Sequence, residues 1–408
     1  MTVCAQTSDE LTGKKILLGV TGGIAAYKCA ELVRLLRKAG AQVVVVMTEA
    51  ATRFVTPLTF QALSGNPVAV DAWNPDQGNG MHHIDLTRTA DLMVIAPASA
   101  DFIAKVAQGR ADDLLSTLVL ARDCPLAVAP AMNRQMWNNP ATQRNMQLLA
   151  QDGVEIWGPS IGEQACGETG EGRMLEACEL TEAVIGALTP KQLAGKKIVM
   201  TAGPTFEPID PVRGITNQSS GQMGFAMARA FAQAGADVVL VSGPVAFATP
   251  IGVKRIDVQT AEQMRQAVMG EIAQAQVFVG VAAVADYRPL EVAEHKLKKT
   301  ESTASDGGRT IALTPNPDIL AEVASLPAAP YCVGFAAESQ LLDDYAEAKR
   351  LRKRLPLVIG NLVSDGLGTT NNCVTLYDDS GRYPLPPLSK PVLARRLVDE
   401  LAARLNKQ

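Results

Sequence analysis

The sequence predicts an α/β chain of two domains built on mainly parallel sheets, and three observations carry this. Apolar runs of four or five residues recur between helical patterns, as strands covered on both faces require. The chain has 408 residues, which at about 100–200 residues per domain implies two or three domains. Two segments also repeat one design: "LTGKKILLGVTGGIAAYK" (11–28) and "LAGKKIVMTAGPT" (193–205) each join a lysine pair, a short apolar strand and a glycine turn. The boundary therefore falls just before the second, in "LTPKQLAG" (188–195), where Pro190 and Gly195 interrupt periodicity. The expected domains are residues 1–190 and 191–408.

In the first half, strands are expected at 16–20, 43–47, 92–96, 126–129 and 154–157. Residues 24–38 place Ile24, Leu32, Leu35 and Leu36 on one helical stripe. In the second half, strands are expected at 198–201, 238–241, 277–281, 332–335 and 357–359, with a helix over 222–234. "CVTLYDDSGRYPL" reads as a hairpin turning at 379–381, an antiparallel edge. The polar, glycine-interrupted stretch around 300–308 reads as a mobile loop.

Composition excludes several classes. Hydrophobic residues are 47% and charged residues 20%, so the chain can bury a large core. A net charge of −4 gives no general attraction to nucleic acid or anionic membrane, so any anion site must be local. Aromatics at 4% argue against a base-stacking surface. Seven cysteines without a C-x-x-C pair, and only three histidines, argue against a zinc site and suit a reducing compartment. "MTVCAQTSDELTGKK" lacks the apolar core of a signal peptide, and no apolar run approaches the ~20 residues of a membrane span. A soluble cytoplasmic protein is expected.

Four stretches of the first half carry chemistry. In "TGGIAAYK" (21–28), Gly22, Gly23 and Ile24 lie between strand and helix, where backbone N–H groups and the helix dipole receive a phosphate. The G-x-G-x-x-G spacing is absent, so a mononucleotide fits better than a dinucleotide; the alternative is a tight turn without a ligand. Ser99 and Asp101 follow a strand and either cap a helix or line a site at its carboxyl end. Asn133, in "APAMNRQMWNNP", is either a turn former or an amide that donates to a carboxylate. "GMHHIDL" holds His82 and His83, surface histidines or proton carriers. "QACGETGEGRM" (164–174) sets the lone thiol of Cys166 on a glycine-rich, polar segment, unlike a buried structural cysteine.

Together and in this order, TGGIAAYK, the histidine before Ile-Asp-Leu, PAMNRQMW and ACGETGEGRM resemble the flavin-dependent cysteine decarboxylases of the phosphopantothenoylcysteine type, over about residues 14–185. The resemblance implies a Rossmann-like, flavodoxin-like flavoprotein domain. It also implies FMN, which oxidises the thiol-bearing carbon so that CO2 leaves from β to a thioaldehyde and then returns the electrons. Gly22, Gly23, Ile24, Ser99 and Asp101 would surround FMN, and Asn133 would hold the substrate carboxylate. His83, beside His82, would carry the proton of the oxidative half. Cys166 would protonate the enethiol intermediate, since a free thiol titrates near ~8.5 and keeps its proton at neutral pH. Arg173 and the glycines would make a flap over the substrate. Glu168 stands where the family usually has Asp.

In the second half, "SSGQMG" precedes an amphipathic helix as in a nucleotide-binding fold, yet about twenty residues separate strand from helix, which a simple dinucleotide domain does not have. Asn217 ends that insert. Lys349 and Lys353, four apart, share one helical face, which is either solvated or meets a triphosphate. TAGPT, N-x-SSGxMG, ADYRP, KLKK, NPDI and GFAAE together resemble the phosphopantothenate–cysteine ligases over about residues 193–405. The resemblance implies a second Rossmann-like domain that uses CTP with Mg2+, held mainly through the CTP phosphates, to activate 4′-phosphopantothenate as an acyl cytidylate for attack by cysteine. Lys296 would serve the activation and Asn217 the acyl cytidylate or its attack by cysteine. Gly280, Val281, Ala282, Asp286, Asn316, Pro317, Asp318, Ile319, Phe335, Lys349 and Lys353 would surround CTP, with Asp286 facing either cytosine or magnesium. Such chains assemble from flavoprotein trimers and ligase dimers, implying a dodecamer. Two rivals remain at this stage. A flavin-binding regulatory subunit is disfavoured by His83, Asn133 and Cys166, and a decarboxylase of peptide C-terminal cysteines by the fused ligase half.

Overall fold

A computed structural model describes residues 9–71, 87–164, 167–298, 310–366 and 371–406. His82, His83, Cys166 and the stretch 300–308 lie outside the described residues. The chain divides into two units, one ending at Leu188 and the next beginning at Thr189.

The first unit is built on β1 (Lys15–Val20), β2 (Gln42–Met47), β3 (Leu92–Ala98), β4 (Leu126–Pro130) and β5 (Glu155–Ile156). They form one parallel sheet in the order β2-β1-β3-β4-β5. Side chains alternate between its faces. Ile16, Leu18 and Val20 pack under the helices Lys28–Lys38 and Ala177–Leu188, whereas Leu17, Met93 and Ile95 pack with the helices Ala100–Ala107, Leu114–Leu120 and Pro140–Gln151. Both faces are covered, so the strands read as unbroken apolar runs, and each fully buried Leu or Ile contributes about 1.5–3 kcal/mol. A hairpin of β6 (Ser160–Glu163) and β7 (Thr169–Arg173) precedes the last helix.

Ile24 departs from the stripe expected over 24–38. Ile24–Tyr27 is a 3-10 turn, and the α-helix starts only at Lys28. The change from three to 3.6 residues per turn resets the phase. Leu32 and Leu36 are fully buried, while Ile24 is 61% exposed. The expected fifth strand is also shorter, only Glu155–Ile156.

The second unit contains β8 (Lys197–Ala202), the antiparallel pair β9 (Phe206–Pro208) and β10 (Gly214–Thr216), β11 (Asp237–Ser242), β12 (Val253–Asp257) and β13 (Val277–Gly280). Next come β14 (Tyr287–Pro289), which pairs antiparallel with β15 (Leu313–Pro315), then β16 (Tyr331–Glu338) and β17 (Leu357–Leu362). The last strands are β18 (Asn371–Asn372), β19 (Thr375–Asp378), β20 (Gly381–Pro384) and β21 (Leu388–Ser389). The main sheet runs β12-β11-β8-β13-β16-β17-β19-β20. Its first six members are parallel, and β19 and β20 add the expected antiparallel hairpin at the edge. Counted from β8, the parallel strands follow the doubly wound order 3-2-1-4-5-6. The helices Gln222–Gln233 and Lys390–Leu405 cover one face, and Ala261–Glu271 and Leu342–Lys353 the other. The insert between β8 and helix Gln222–Gln233 is the β9–β10 hairpin, so a doubly wound sheet accommodates the twenty residues without losing its order.

Candidate functional sites

In the first unit the winding reverses between β1 and β3. Open parallel sheets bind ligands beyond the carboxyl ends of their strands at such a point. Thr21, fully buried, ties the two strand ends together: its hydroxyl donates to the Pro97 carbonyl at 2.6 Å and accepts from the Ser99 N–H at 3.0 Å. Gly22 is required by packing, because a Cβ there would sit 2.6 Å from the Ala50 Cβ. Above Gly23 a Cβ would meet nothing within 4 Å, so the backbone turn faces open space, with Ile24 and Tyr27 exposed beside it. Ser99 caps helix Ala100–Ala107 by accepting from the Phe102 N–H, and Asp101 is exposed in its first turn. Asn133 follows β4, and its side-chain oxygen accepts from the Met136 N–H at 2.9 Å. That cap leaves the amide N–H groups of Asn133 as donors, the chemistry a carboxylate needs. Gly22, Gly23, Ile24, Ser99, Asp101 and Asn133 thus all follow the carboxyl ends of the adjacent strands β1, β3 and β4.

The β6–β7 hairpin lies on the segment after β4. Gly172, at φ +126°, receives the Met132 N–H on its carbonyl at 2.9 Å. The Gln164 side-chain oxygen accepts from the Arg134 N–H, Gln135 donates to Glu168 at 2.9 Å, and the Trp137 indole donates to Glu171 at 3.1 Å. Glu168 therefore has a local partner for its longer side chain. At the base of the hairpin, Arg173 and the buried Lys28 both donate to Glu176. Burial pushes the Glu176 carboxyl up, but the bonds from Lys28 and Arg173 outweigh it and bring it below its ordinary value. Sequence reasoning missed Thr21, Lys28 and the Gln135–Glu168 contact. Lys28 carried a signal, a lysine on the buried side of its helix.

In the second unit a cleft of about 150 Å3 opens beyond the carboxyl ends of β8, β13, β16 and β17, under the first turn of helix Gln222–Gln233. Val281 and Phe335 line it, with Ser219, Ser220 and the buried Lys390, whose ammonium donates to Gln222 at 3.0 Å. The Asn372 side-chain oxygen, also in its wall, is buried without a hydrogen-bond partner. Asn217, at the end of the insert, donates to the Ala283 carbonyl at 3.0 Å beside the same cleft.

Ala282, Ile319 and the helix Leu342–Lys353 pack on the opposite face of the sheet. There Lys349 donates to the Phe335 carbonyl and Lys353 to Asp318 at 2.7 Å. Burial, and then the charge of Lys353, lowers the Lys349 ammonium below its ordinary pKa. Burial raises the Asp318 carboxyl, but Lys353 and the Ala321 N–H outweigh it and hold it low. Asn316 is fixed by donating to the carbonyls of Asp286 and Ala285, at 2.8 Å each, and Pro317 follows it into helix Ile319–Ala324. Asp286 and Lys296 are exposed, and Gly280 ends β13. Among the described residues, no cluster of three or more His, Cys, Asp or Glu side chains is arranged to hold a metal ion, and no helix is long and apolar enough to cross a membrane.

Two open α/β sheets, each with its own winding reversal, define a chain of two doubly wound α/β units, the kind of fold that places a ligand site beyond the strand ends of each. Residues 4–189 match the Flavoprotein family, and residues 193–405 match the DNA/pantothenate metabolism flavoprotein C-terminal domain. The chain is 53% identical over 394 residues to the coenzyme A biosynthesis bifunctional protein CoaBC of Vibrio cholerae, covering 96% of this chain and 98% of that one. It is 50% identical over 404 residues to the protein of that name from Escherichia coli (98% and 99%), and 44% identical over 406 residues to that from Bacillus subtilis (98% of each). The chain belongs to this CoaBC family. It is a bifunctional flavoprotein of coenzyme A biosynthesis, a decarboxylase joined to a ligase.

Proposed function

We propose that residues 191–408 join cysteine to 4′-phosphopantothenate with CTP, through an acyl cytidylate, and that residues 1–190 decarboxylate the product to 4′-phosphopantetheine and CO2 with FMN. The observation that carries the first half is the placing of Gly22, Gly23, Ser99 and Asn133 just beyond the carboxyl ends of β1, β3 and β4 at the β1/β3 reversal, where the 2-1-3-4-5 order favours a mononucleotide flavin. The residues present fit that cofactor. The turn at Gly23 is open to a phosphate, and Ile24 and Tyr27 offer apolar surface to a flat ring. Bound FMN supplies the two-electron chemistry of the thiol-bearing carbon. The chain's own residues hold the substrate and move protons: Asn133 binds the carboxylate, His83 carries the proton of the oxidative half, and Cys166 protonates the enethiol beneath the β6–β7 segment that includes Arg173.

In the ligase half, a carboxylate is a poor acyl donor until one of its oxygens becomes part of a leaving group. Bringing it to a triphosphate crowds negative charge, which Lys296, Lys349 and Lys353 offset together with Mg2+ on the CTP phosphates. Val281 and Phe335 hold part of the ligand, because a cleft of about 150 Å3 is smaller than the ~300 Å3 of a typical small-molecule site. Gly280, Ala282, Asp286, Asn316, Pro317, Asp318 and Ile319 complete the nucleotide's surroundings, and Asn217 orients the acyl cytidylate for attack. Flavoprotein trimers and ligase dimers build a dodecamer in this reading.

The test is to incubate purified protein with 4′-phosphopantothenate, cysteine, CTP and Mg2+ and to follow products by mass. Both the cysteine adduct and 4′-phosphopantetheine are expected, and absence of both sinks the reading. Cys166→Ser is expected to release a product lighter by one pair of hydrogen atoms, and normal product from that variant removes Cys166 from its role.

A further inference from the structure

Apart from the main sheet of the second unit, β14 and β15 form a two-stranded ribbon. β14 starts directly after Asp286 and β15 ends directly before Asn316, so the ribbon joins two of the segments placed around the nucleotide. Each strand has three residues, and Pro289 and Pro315 within them have no N–H to give. A ribbon this short is marginal by itself. Side chains secure the end next to Asp286 and Asn316. Arg288 Nη1 donates to the Pro315 carbonyl at 2.7 Å and to the Asn316 side-chain oxygen at 3.1 Å. The Asn316 side-chain nitrogen donates to the Ala285 carbonyl, and its backbone N–H to the Asp286 carbonyl, both at 2.8 Å. Residues 285–288 and 315–316 are thus laced together by bonds that the two strands do not supply.

Two residues further on, Asp318 accepts from the Ala321 N–H at 3.1 Å and from Lys353 at 2.7 Å. The helix it opens, Ile319–Ala324, is tied to helix Ala261–Glu271 by Arg265, which donates to Glu322 and to Glu262 at 2.9 Å each. That helix is therefore fixed, and the chain entering it takes its course from Asn316. We infer that Arg288, acting through Asn316, is a positioning residue for the nucleotide: it holds the Asp286 and Asn316–Ile319 segments together as one wall, which comes apart without it. The inference rests on the proposed CTP site and adds to it a residue outside the nucleotide's surroundings. Asn316 then serves by its place in the chain rather than by reading the base. An amide that read cytosine would use its oxygen for the exocyclic amine, and Arg288 holds that oxygen. The nitrogen of the same amide is turned to Ala285. The planar guanidinium suits this task, because its donors point in fixed directions at the two acceptors.

The experiment compares full-length wild type with Arg288→Met, Asn316→Ala and the double variant. Hydrogen exchange without nucleotide is read by mass spectrometry. Pyrophosphate release from 4′-phosphopantothenate is followed with CTP, UTP or ATP. In all three variants, exchange at 285–288 and 313–318 accelerates while β8, β13 and β16 keep wild-type protection. The KM for CTP rises about 10-fold, as when the joined arrangement falls to about a tenth of the population. Saturating CTP draws the wall together again, so kcat stays within about 2-fold, the pattern of lost binding rather than lost transition-state contact. The KM for 4′-phosphopantothenate does not move, and no variant gains use of UTP or ATP relative to CTP. The double variant is no worse than the single ones, because the two side chains form one device. Unchanged exchange at 285–288 and 313–318 overturns the brace. Effects on the KM for CTP that multiply in the double variant overturn it too, since Arg288 and Asn316 then act separately. A shift of nucleotide preference in Asn316→Ala makes that residue a reader of the base and refutes the assignment. Exchange raised across the whole unit, with equal losses for both substrates, makes the pair merely structural and also refutes it. If Asn316→Ala does not fold, Arg288→Met decides alone, because it leaves the bonds of Asn316 to Ala285 and Asp286 in place. Wild type that releases no pyrophosphate refutes the CTP reading, and the exchange arm still judges the brace.

Discussion

Gly172→Ala isolates what the β6–β7 hairpin does. A Cβ at Gly172 would lie 2.3 Å from the Met132 carbonyl oxygen, well inside the 3.0 Å that real Cβ contacts respect, and φ is +126°. Two reliefs are open to the variant. It can keep the hairpin docked and bear the backbone strain, about 1–3 kcal/mol before the clash is counted. Or the hairpin can lift and lose the Met132–Gly172, Arg134–Gln164, Gln135–Glu168 and Trp137–Glu171 bonds, each worth about 0.5–1.5 kcal/mol net. Either way docking weakens by about 2–4 kcal/mol, a factor of about 30–1000 in its equilibrium. The assay supplies phosphopantothenoylcysteine directly and measures decarboxylation, with ligation by the same preparation as the control. Decarboxylation is expected to fall at least 10-fold while ligation persists, and amide exchange over 160–164 and 169–173 rises. Gly109→Ala is the contrast: φ is +63° with no atom within 4 Å, so only about 1–2 kcal/mol of left-handed strain is added, and decarboxylation stays within a few-fold. Wild-type decarboxylation and exchange in Gly172→Ala would refute the claim that docking positions the segment carrying Cys166.

Three further outcomes are expected. Thr21→Val strands the Pro97 carbonyl and the Ser99 N–H, costing about 1–3 kcal/mol and loosening retention of flavin, whereas Thr21→Ser keeps both; flavin content after gel filtration and thermal unfolding report the difference. Asn133→Ser retains the cap on helix Arg134–Trp137, whereas Asn133→Ala loses about 1 kcal/mol of it. If the amide holds the substrate carboxylate, both variants raise KM alike, and recovery by Ser alone would reduce Asn133 to a cap. Lys349 titrates below its ordinary 10.5 because it is buried near Lys353. A triphosphate favours its charged form and raises that pKa, so CTP binding takes up protons at any pH below 10.5 where the free enzyme holds Lys349 partly deprotonated. Calorimetry in buffers of different ionisation enthalpy reads this, and proton release on binding would contradict it. The sign for stability is the same: a depressed lysine costs stability below its folded pKa, and the cost fades as pH rises towards the unfolded value.

The strands were legible because both faces of each parallel sheet are covered, which leaves runs such as 16–20 and 238–241 without polar interruption. The Gly22–Gly23 turn, Ser99 and Asn133 were legible as punctuation at strand ends. Three features were not. Ile24 reads as helical only if the 3.6-residue period begins at residue 24, and nothing local announces a 3-10 turn. The β6–β7 hairpin is polar and glycine-rich, and its glycines serve close approach: a Cβ at Gly170 would stand 2.4 Å from the Arg134 side chain. Asp210 and Arg213 look like an ordinary turn, because the Leu297 backbone they bind is remote in sequence.

The second unit's sheet ends at β12 on one rim and β20 on the other, and a rim of unpaired backbone invites another chain to add a strand. Both rims are spoiled for that purpose. β20 is exposed at all four residues yet carries Arg382, paired with Asp343, and Pro384, which has no N–H to offer. β12 presents Lys254 and Arg255, engaged by Glu271 and Asp257. Eight strands can therefore lie in one open sheet without templating fibrils, and the protection sits in residues remote from both sites. A change there would leave turnover per folded molecule intact and lower the concentration at which the protein stays dispersed.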